Sequence, residues 1–375
     1  MRHRIVPVLL ALAVVILTLS SCATSVSVDY YRPSEIDMGR YRTVAVASCV
    51  PFKGFHAPPF HVRTVDGPSS TWSLVSSGYT ASLAADVADY ATQSLLDKLE
   101  KTGFFSIIPP AVSDGLITLS RMGHPIRDEV SDYGIDAFIV PRITAMDVNE
   151  YISSDRVYVT DYTKTGPDGQ PLRVARYRYY LTQTVSVVYS YTVIDAQTMT
   201  VYATRNFSDK AEYTTEISSS FFTAPPVMRY FRTMIDGITR LAAWQLAPSR
   251  DSLKVDLMKN KPKSEAAEVA YELVDDGAIM QAVSIFRDCW ETEQHLPSGY
   301  NWALLSATRG DLDGAVSILD DVLACYDSGE AEDLRHTLDR LRNLTSLAKA
   351  QMDGTGSGSN YTDASGSIFS VVMGE

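Results

Sequence analysis

The amino-terminal 22 residues constrain this chain most strongly, because they decide the medium in which the rest of it folds. Arg2 and Arg4 precede an uninterrupted apolar run over residues 5–17. A helix needs about 20 apolar residues to cross a bilayer, so this run is too short to be a membrane span. A basic start followed by a short apolar core is typical of an export signal peptide. We therefore expect the folded protein to work outside the cytoplasm.

The end of this segment carries a more specific motif, Leu19-Ser20-Ser21-Cys22, which resembles the lipobox of bacterial lipoproteins. The resemblance implies that residues 1–21 are a signal peptide and that Cys22 becomes the lipidated first residue of the mature protein. Two or more acyl chains anchor a protein stably, whereas a single chain holds it only marginally. The alternative is an ordinary secretory signal with a coincidental cysteine.

The stretch that follows the motif, residues 22–40, is polar and aromatic without a regular apolar pattern, and it predicts a tether to the first folded domain. No run of Asp or Glu follows Cys22. This absence favours the periplasmic face, and we expect the lipid anchor to lie in the outer membrane.

Charge limits the partners that this chain can bind. The formal net charge is −12, and residues 251–375 hold 22 Asp and Glu against 10 Lys and Arg. Clustered cations are needed to neutralise nucleic-acid phosphates, so we expect no nucleic-acid partner. The same average charge predicts repulsion from anionic lipid headgroups.

At 375 residues, with 45% hydrophobic residues, the chain is long enough for two globular domains.

The first domain is predicted over residues 41–250, where strand and helix patterns alternate. Apolar residues recur at helical spacing over 80–102, and Gly103 supplies the stop signal. A second amphipathic helix is predicted over 227–246. A buried strand is expected from Asp136 onward. The fold class indicated is α+β, with a mixed sheet and packed helices.

The strongest strand signal lies in a predicted long hairpin. Residues 172–194 alternate between bulky apolar and mixed positions, and Gly166-Pro167-Asp168-Gly169 is a turn that joins them to a strand over 156–163. One arm interleaves cations with aromatic rings, which favours either a partner-binding surface or an edge strand protected by charge. The candidate partner-binding residues are Arg173, Arg176, Tyr177, Arg178 and Tyr179.

Two stretches give this domain a family resemblance, residues 133–140 (Tyr-Gly-Ile-Asp-Ala-Phe-Ile-Val) and 192–198 (Thr-Val-Ile-Asp-Ala-Gln-Thr). With the order of elements over 41–247, they resemble the periplasmic domain of the curli secretion channel lipoproteins (CsgG-like). The resemblance implies an envelope α/β domain and, as the alternative function, self-association into a channel. The hairpin departs from the family because its charged arms lack an apolar lipid-facing band.

The second domain is predicted over residues 260–352 as an all-α module of helical hairpins. The stretch 300–305 (Tyr-Asn-Trp-Ala-Leu-Leu) and the glycine at 310 resemble a tetratricopeptide repeat, with Gly277 and Ala282 echoing Gly310 and Ala315 at a spacing of 33. Repeats of this class have a period near 34. Two and a half repeats bury too little core alone, so we expect the module to pack on the first domain or on a partner.

Beyond the helices, residues 353–375 predict a flexible linker and a short carboxyl-terminal strand. The apolar hexamer over 368–373 suits addition to a sheet edge, and a frayed end is the alternative.

No catalytic motif, cofactor site or metal site is predicted. His56 and His61 lie near Cys49, but their spacing is not that of a zinc site. The acidic residues over 128–136 fit a solvated helix face better than an acid and base pair. Cys289 and Cys325 are expected to be small buried thiols, with a disulfide as the alternative.

These patterns favour a lipid-anchored envelope protein that acts as a non-catalytic scaffold or adaptor through contacts with other envelope proteins. The alternative is a subunit of an oligomeric outer-membrane secretion or export channel.

Overall fold

The computed structural model describes residues 24–55, 61–62, 81–217 and 224–354, and gives only the backbone of 61–62. Contacts divide these residues into two units. The sheet unit contains residues 34–247, and the helical unit contains residues 24–33 together with 248–354. The predicted α+β class is confirmed. Cys22 and the hexamer over 368–373 lie outside the described residues.

The sheet unit is built on a mixed sheet. Its strands are β2 (Thr43–Val46), β3 (His61–Val62), β4 (Ser106–Ile108), β5 (Ala137–Thr165), β6 (Pro171–Asp195) and β7 (Val201–Ile217). They follow the order β4-β2-β5-β6-β7, with β3 paired beside β5. Strand β2 runs parallel to β4 and β5, while β5, β6 and β7 are successive antiparallel neighbours. The predicted long hairpin is therefore confirmed as β5 and β6.

Helices cover both faces of this sheet. On one face lie α1 (Leu83–Thr102) and the later helix α4 (Met228–Leu246), which pack against each other and against the sheet. On the other face lie α2 (Pro110–Arg121) and α3 (Arg127–Asp132), whose apolar side chains share a core with Ala45 and Phe138. The apolar stripe of α1 is buried as its spacing predicts.

Residues 133–140 and 192–198, which carry the family resemblance, each contain a turn in this unit. Gly134 has a φ of +61°, a conformation that glycine adopts without strain. Two residues on, the Asp136 carboxylate accepts hydrogen bonds from the backbone N–H groups of Arg42 and Thr43, both at 2.8 Å. Asp136 therefore fixes the start of β2 beside β5.

The second stretch is closed by Asp195. Its carboxylate accepts the backbone N–H groups of Gln197 and Thr198, at 3.0 and 2.9 Å, and the hydroxyl of Tyr41 at 3.0 Å. The hydrogen bonds from Thr198 in particular lower the pKa of Asp195. A lowered pKa means that the folded state favours the ionised carboxylate.

This pKa shift predicts how stability depends on pH. The contribution of Asp195 is present above the unfolded pKa, about 4, and is lost as pH falls through the lower folded pKa. We expect Asp195→Asn to lower the free energy of unfolding by about 1 kcal/mol near neutral pH, and the difference from the wild type to shrink below about pH 3. Urea unfolding at both pH values measures it, with Asp132→Asn as the exposed control. A difference that is the same at both pH values would contradict the role of the ionised carboxylate.

The described part of the helical unit contains five consecutive helices that each pack on the next. Gly277 and Gly310 occupy equivalent turns with φ values of +77° and +87°, and Ala282 and Ala315 are both fully buried. The 33-residue spacing seen in the sequence is thus a spacing of helical hairpins. The helices are α5 (Glu265–Asp275), α6 (Ile279–Glu293), α7 (Leu296–Thr308), α8 (Leu312–Cys325) and α9 (Gly329–Met352).

The stretch expected to be a tether differs from that expectation. Residues 25–32 form strand β1 (Ser25–Arg32), which pairs antiparallel over its whole length with β8 (Ser249–Asp256). Val28 and Tyr30 are buried in the core of the helical unit. The amino-terminal stretch is therefore part of a folded unit, and it joins helices that follow it by more than 200 residues.

The cysteines also depart in part from the prediction. Cys289 and Cys325 are both free thiols, so they do not form the alternative disulfide. Cys289 is buried as expected, whereas Cys325 is exposed because it lies in the last turn of α8.

Candidate interaction surface

Among the described residues, the hairpin of β5 and β6 continues past the other strands of the sheet as a two-stranded ribbon. The last described pair of β3 and β5 is Val62 with Ile152, and the last described pair of β7 and β6 is Ile217 with Tyr179. Within the described part of the chain, residues 155–165 pair only with the facing arm of β6. Eleven strand residues span roughly 35 Å. A ribbon of this length with solvent on both faces offers side chains that the fold does not need for its core.

The turn at the end of the ribbon follows the sequence signal. The N–H of Gly166 donates to the carbonyl of Gln170 at 2.8 Å, and Gly169 has a φ of +74°. Asp168 accepts the N–H of Gln170 at 3.3 Å. The glycine and aspartate positions thus fix the register of the two arms.

The register sorts the side chains of the ribbon onto two faces. Directly opposed residues share a face, and successive residues alternate. One face, here called the cationic-aromatic face, carries two arginines and three tyrosines but no acidic residue. Its members are Arg156, Tyr158, Thr160, Arg173, Ala175, Tyr177 and Tyr179.

The opposite face, here called the aliphatic face, has balanced charge. Its two carboxylates and two guanidinium groups flank a strip of branched aliphatic side chains. Its members are Asp155, Val157, Val159, Asp161, Leu172, Val174, Arg176 and Arg178. Arg178 also lies 3.9 Å from Glu216 of β7, and both side chains are more than half exposed, so this ion pair adds little stability.

Rings on the cationic-aromatic face are accessible to a partner. The Tyr158 side chain is 56% exposed, and the guanidinium carbon of Arg156 lies 5.3 Å from its ring centroid. Tyr177 and Tyr179 are both half-buried, but only Tyr179 packs against Ile152 and Leu181 at the base of the ribbon. The part of this face that can meet a partner therefore lies beyond Tyr179, toward the turn.

The five candidate residues do not form one surface. Arg173, Tyr177 and Tyr179 lie on the cationic-aromatic face, while Arg176 and Arg178 lie on the aliphatic face. Sequence reasoning missed Arg156 and Tyr158, which share a face with Arg173 and Tyr177. The period of two along each strand, applied to both arms around the turn, was the signal that could have found them.

The structure offers no support for a reactive or metal-binding site at Cys49, His56 and His61 within the residues that it describes. Burial raises the pKa of the Cys49 thiol to about 12, which keeps it protonated. His56 lies outside the described residues, as does the side chain of His61. In the part of the chain that the structure describes, no group of three or more His, Cys, Asp or Glu residues is arranged to hold a metal ion.

The helices were also compared with the length and hydropathy that a transmembrane helix needs. None of those in the described ranges is both long enough and apolar enough to cross a bilayer.

Comparison with known proteins gives distant structural likenesses only. No protein-family model matches the sequence, and no curated relative matches it. The PelC dodecamer from Paraburkholderia phytofirmans is 10% identical with a TM-score of 0.24, over 58% of this chain and 97% of that chain. Lipoprotein GNA1162 from Neisseria meningitidis is 9% identical with a TM-score of 0.20, over 54% of this chain and 98% of that chain. Likeness at this level carries neither fold nor function from one protein to another.

Proposed function

We propose that this chain is a lipid-anchored protein of the bacterial cell envelope that acts as a non-catalytic scaffold or adaptor. The export signal and the Leu19-Ser20-Ser21-Cys22 motif support the anchor. Acylation of Cys22 would hold the protein at a membrane surface and raise its effective concentration for other envelope proteins there. The helical hairpins, proposed to be tetratricopeptide-like, would offer a second contact surface.

The cationic-aromatic face of the ribbon is the observation that carries the binding role. It combines Arg156 and Arg173 with the rings of Tyr158 and Tyr177, and it has no acidic residue. Arginine and tyrosine are enriched among residues that dominate binding energy at interfaces. Unbalanced positive charge in a protein of net charge −12 selects an acidic partner surface and disfavours most other contacts.

The test uses two adjacent residues that point in opposite directions. A photo-crosslinking benzophenone amino acid placed at Tyr177 is expected to capture a discrete partner protein in intact cells, while the same group at Arg176 is not. Arg173→Glu, on the same face as Tyr177, should reduce that capture at least about fivefold, and Arg176→Glu should leave it unchanged. Equal capture from both positions, or none from Tyr177, would contradict this use of the face.

The length of the exposed ribbon also supports a second function, a subunit of an oligomeric outer-membrane export channel. Such a subunit would be extracted by detergent as a ring of high mass and would give conductance in planar bilayers. A monomer or dimer without conductance would contradict it.

A further inference from the structure

The chain is held firmly in the helical unit from Thr24 onward. The Thr24 carbonyl accepts the N–H of Leu257 at 2.9 Å, and its hydroxyl donates to Asp275 at 2.8 Å. From Ser25, paired with Asp256, the whole of β1 is registered against β8. The end of β1 nearest the amino terminus is therefore the end at which β8 finishes.

Only Ala23 separates Thr24 from Cys22, and two residue steps span at most about 7 Å. If Cys22 carries acyl chains, as the proposed function requires, no slack tether remains between the lipid and the helical unit. The end of the unit where β1 starts and β8 finishes must then lie against the headgroups.

The segment that leaves β8 at this end is held at every second residue. Met258 and Asn260, which are half-buried, and the exposed Pro262 form hydrogen bonds of 2.7 to 3.0 Å with polar side chains or backbone of the helical unit. The pairs are Met258 with Asn301, Asn260 with Ser264, and Pro262 with His295. Pro262 offers only a carbonyl here, so the His295 Nε2 atom is the donor in that pair. Such a segment presents its other positions in a fixed arrangement.

The positions between them are Lys259, Lys261 and Lys263, here called the lysine loop, and all three are exposed. Lys263 forms an ion pair with Glu268 at 2.9 Å, whereas Lys259 and Lys261 form no salt bridge with any described residue. These three are among only ten cations in residues 251–375. Their clustering departs from the acidic character of the unit as a whole.

The acidic groups that act on this loop do so at Lys263. Glu268 is paired with it and Glu265 also attracts it, while Glu293 accepts the hydroxyl of Ser264 at 3.2 Å. Lys259 and Lys261, which are exposed and form no salt bridge with any described residue, can meet an anionic surface.

We propose that the lysine loop is a contact surface for anionic phospholipid headgroups, working together with the acyl chains on Cys22. Basic residues next to a lipid anchor are attracted to anionic leaflets within about a Debye length, and this attraction weakens with salt. The loop thereby fixes which end of the helical unit faces the membrane.

The rate at which an amine reagent modifies each lysine measures this contact without any substitution. The lipidated protein is inserted into preformed phosphatidylcholine vesicles with or without phosphatidylglycerol, and its lysines are acylated by a membrane-impermeant amine reagent and quantified by mass spectrometry. We expect the modification rates of Lys259 and Lys261 to fall at least about threefold on phosphatidylglycerol vesicles relative to neutral detergent, and to recover in high salt.

Lys349 is the matched control in the same unit, since it is exposed and remote from the loop. It lies one turn beyond Thr345, whose hydroxyl accepts the N–H of Tyr31 at 3.2 Å, and Tyr31 is about 20 Å along β1 from Ser25. Its rate should not change. Equal rates at Lys259, Lys261 and Lys349 on vesicles, or protection that does not depend on phosphatidylglycerol, would overturn the inference while leaving the lipid anchor intact. An intact mass without acyl chains would overturn the anchor and the inference together.

Discussion

Val28→Asp is expected to detach β1 from the helical unit and to destabilise that unit more than any of the other substitutions proposed. Val28 is fully buried, and it packs in the core that also contains Tyr30 and Leu257. A carboxylate at this position would be buried without a cation, which costs more than about 4 kcal/mol in unfolding free energy. Strand β8 would then lose the hydrogen-bonding partner along its whole length.

Ser27→Asp is the matched control, because it adds the same charge to the neighbouring residue, which is exposed. Urea unfolding followed by tryptophan fluorescence measures stability, since Trp290 and Trp302 lie in this unit. Amide hydrogen exchange on β8 gives a local readout, and its protection should fall at least about tenfold in Val28→Asp only. Equal stability of the two variants would show that β1 is dispensable and would contradict its place in the core of the helical unit.

Asn301→Ala is expected to cost about 3 kcal/mol of unfolding free energy. The Asn301 side chain is fully buried; its oxygen accepts the N–H of Met258 at 2.8 Å, and its amide group donates to the Met258 carbonyl at 3.0 Å and the Tyr271 hydroxyl at 2.8 Å. Truncation leaves the Met258 N–H without a partner, which costs about 1–3 kcal/mol, and removes a second hydrogen bond from the Met258 carbonyl and from the Tyr271 hydroxyl, which still bond each other at 2.6 Å.

The control for this variant is Asn343→Ala in α9, where the amide is exposed and makes one long hydrogen bond of 3.4 Å to Asp339. It should change the unfolding free energy by less than about 0.5 kcal/mol. Asn301→Asp adds a second comparison, because a carboxylate can accept from Met258 but cannot donate to its carbonyl. Stability of Asn301→Ala within error of the wild type would contradict the proposed role of this side chain in holding the lysine loop.

Elements with a long regular pattern could be predicted from the sequence. The helix ending at Gly103 and the hairpin around Gly166 both depend on local signals, apolar spacing and turn residues, that lie within the element itself. The same is true of the paired glycines at 277 and 310. Local signals of this kind are sufficient because the element and its evidence occupy the same stretch of chain.

Strand β1 could not be assigned in the same way. Val26, Val28 and Tyr30 do alternate with polar residues, but an isolated alternation of this length is ambiguous. Its partner, β8, lies more than 200 residues away, between the two predicted domains. Only the pairing of these distant segments distinguishes a strand from a tether.

The candidate surfaces show two further limits. Residues 173–179 formed one cluster in the sequence, yet their alternation puts them on two faces, and the accessible partners of Tyr177 come from the opposite arm. Net charge has a related limit. Averaged over residues 251–375 it predicts repulsion from anionic lipid, and an average does not register that three lysines at alternate positions follow the end of β8.

Acylation of Cys22 is the step on which both the membrane anchor and the lysine-loop contact depend. The intact mass of the mature protein extracted from native membranes measures it, together with the membrane partition of Cys22→Ala. We expect a mature chain that begins at an acylated Cys22, and a Cys22→Ala variant that leaves the membrane fraction. An unacylated mature end, or a Cys22→Ala variant that still sediments with membranes, would contradict the anchor.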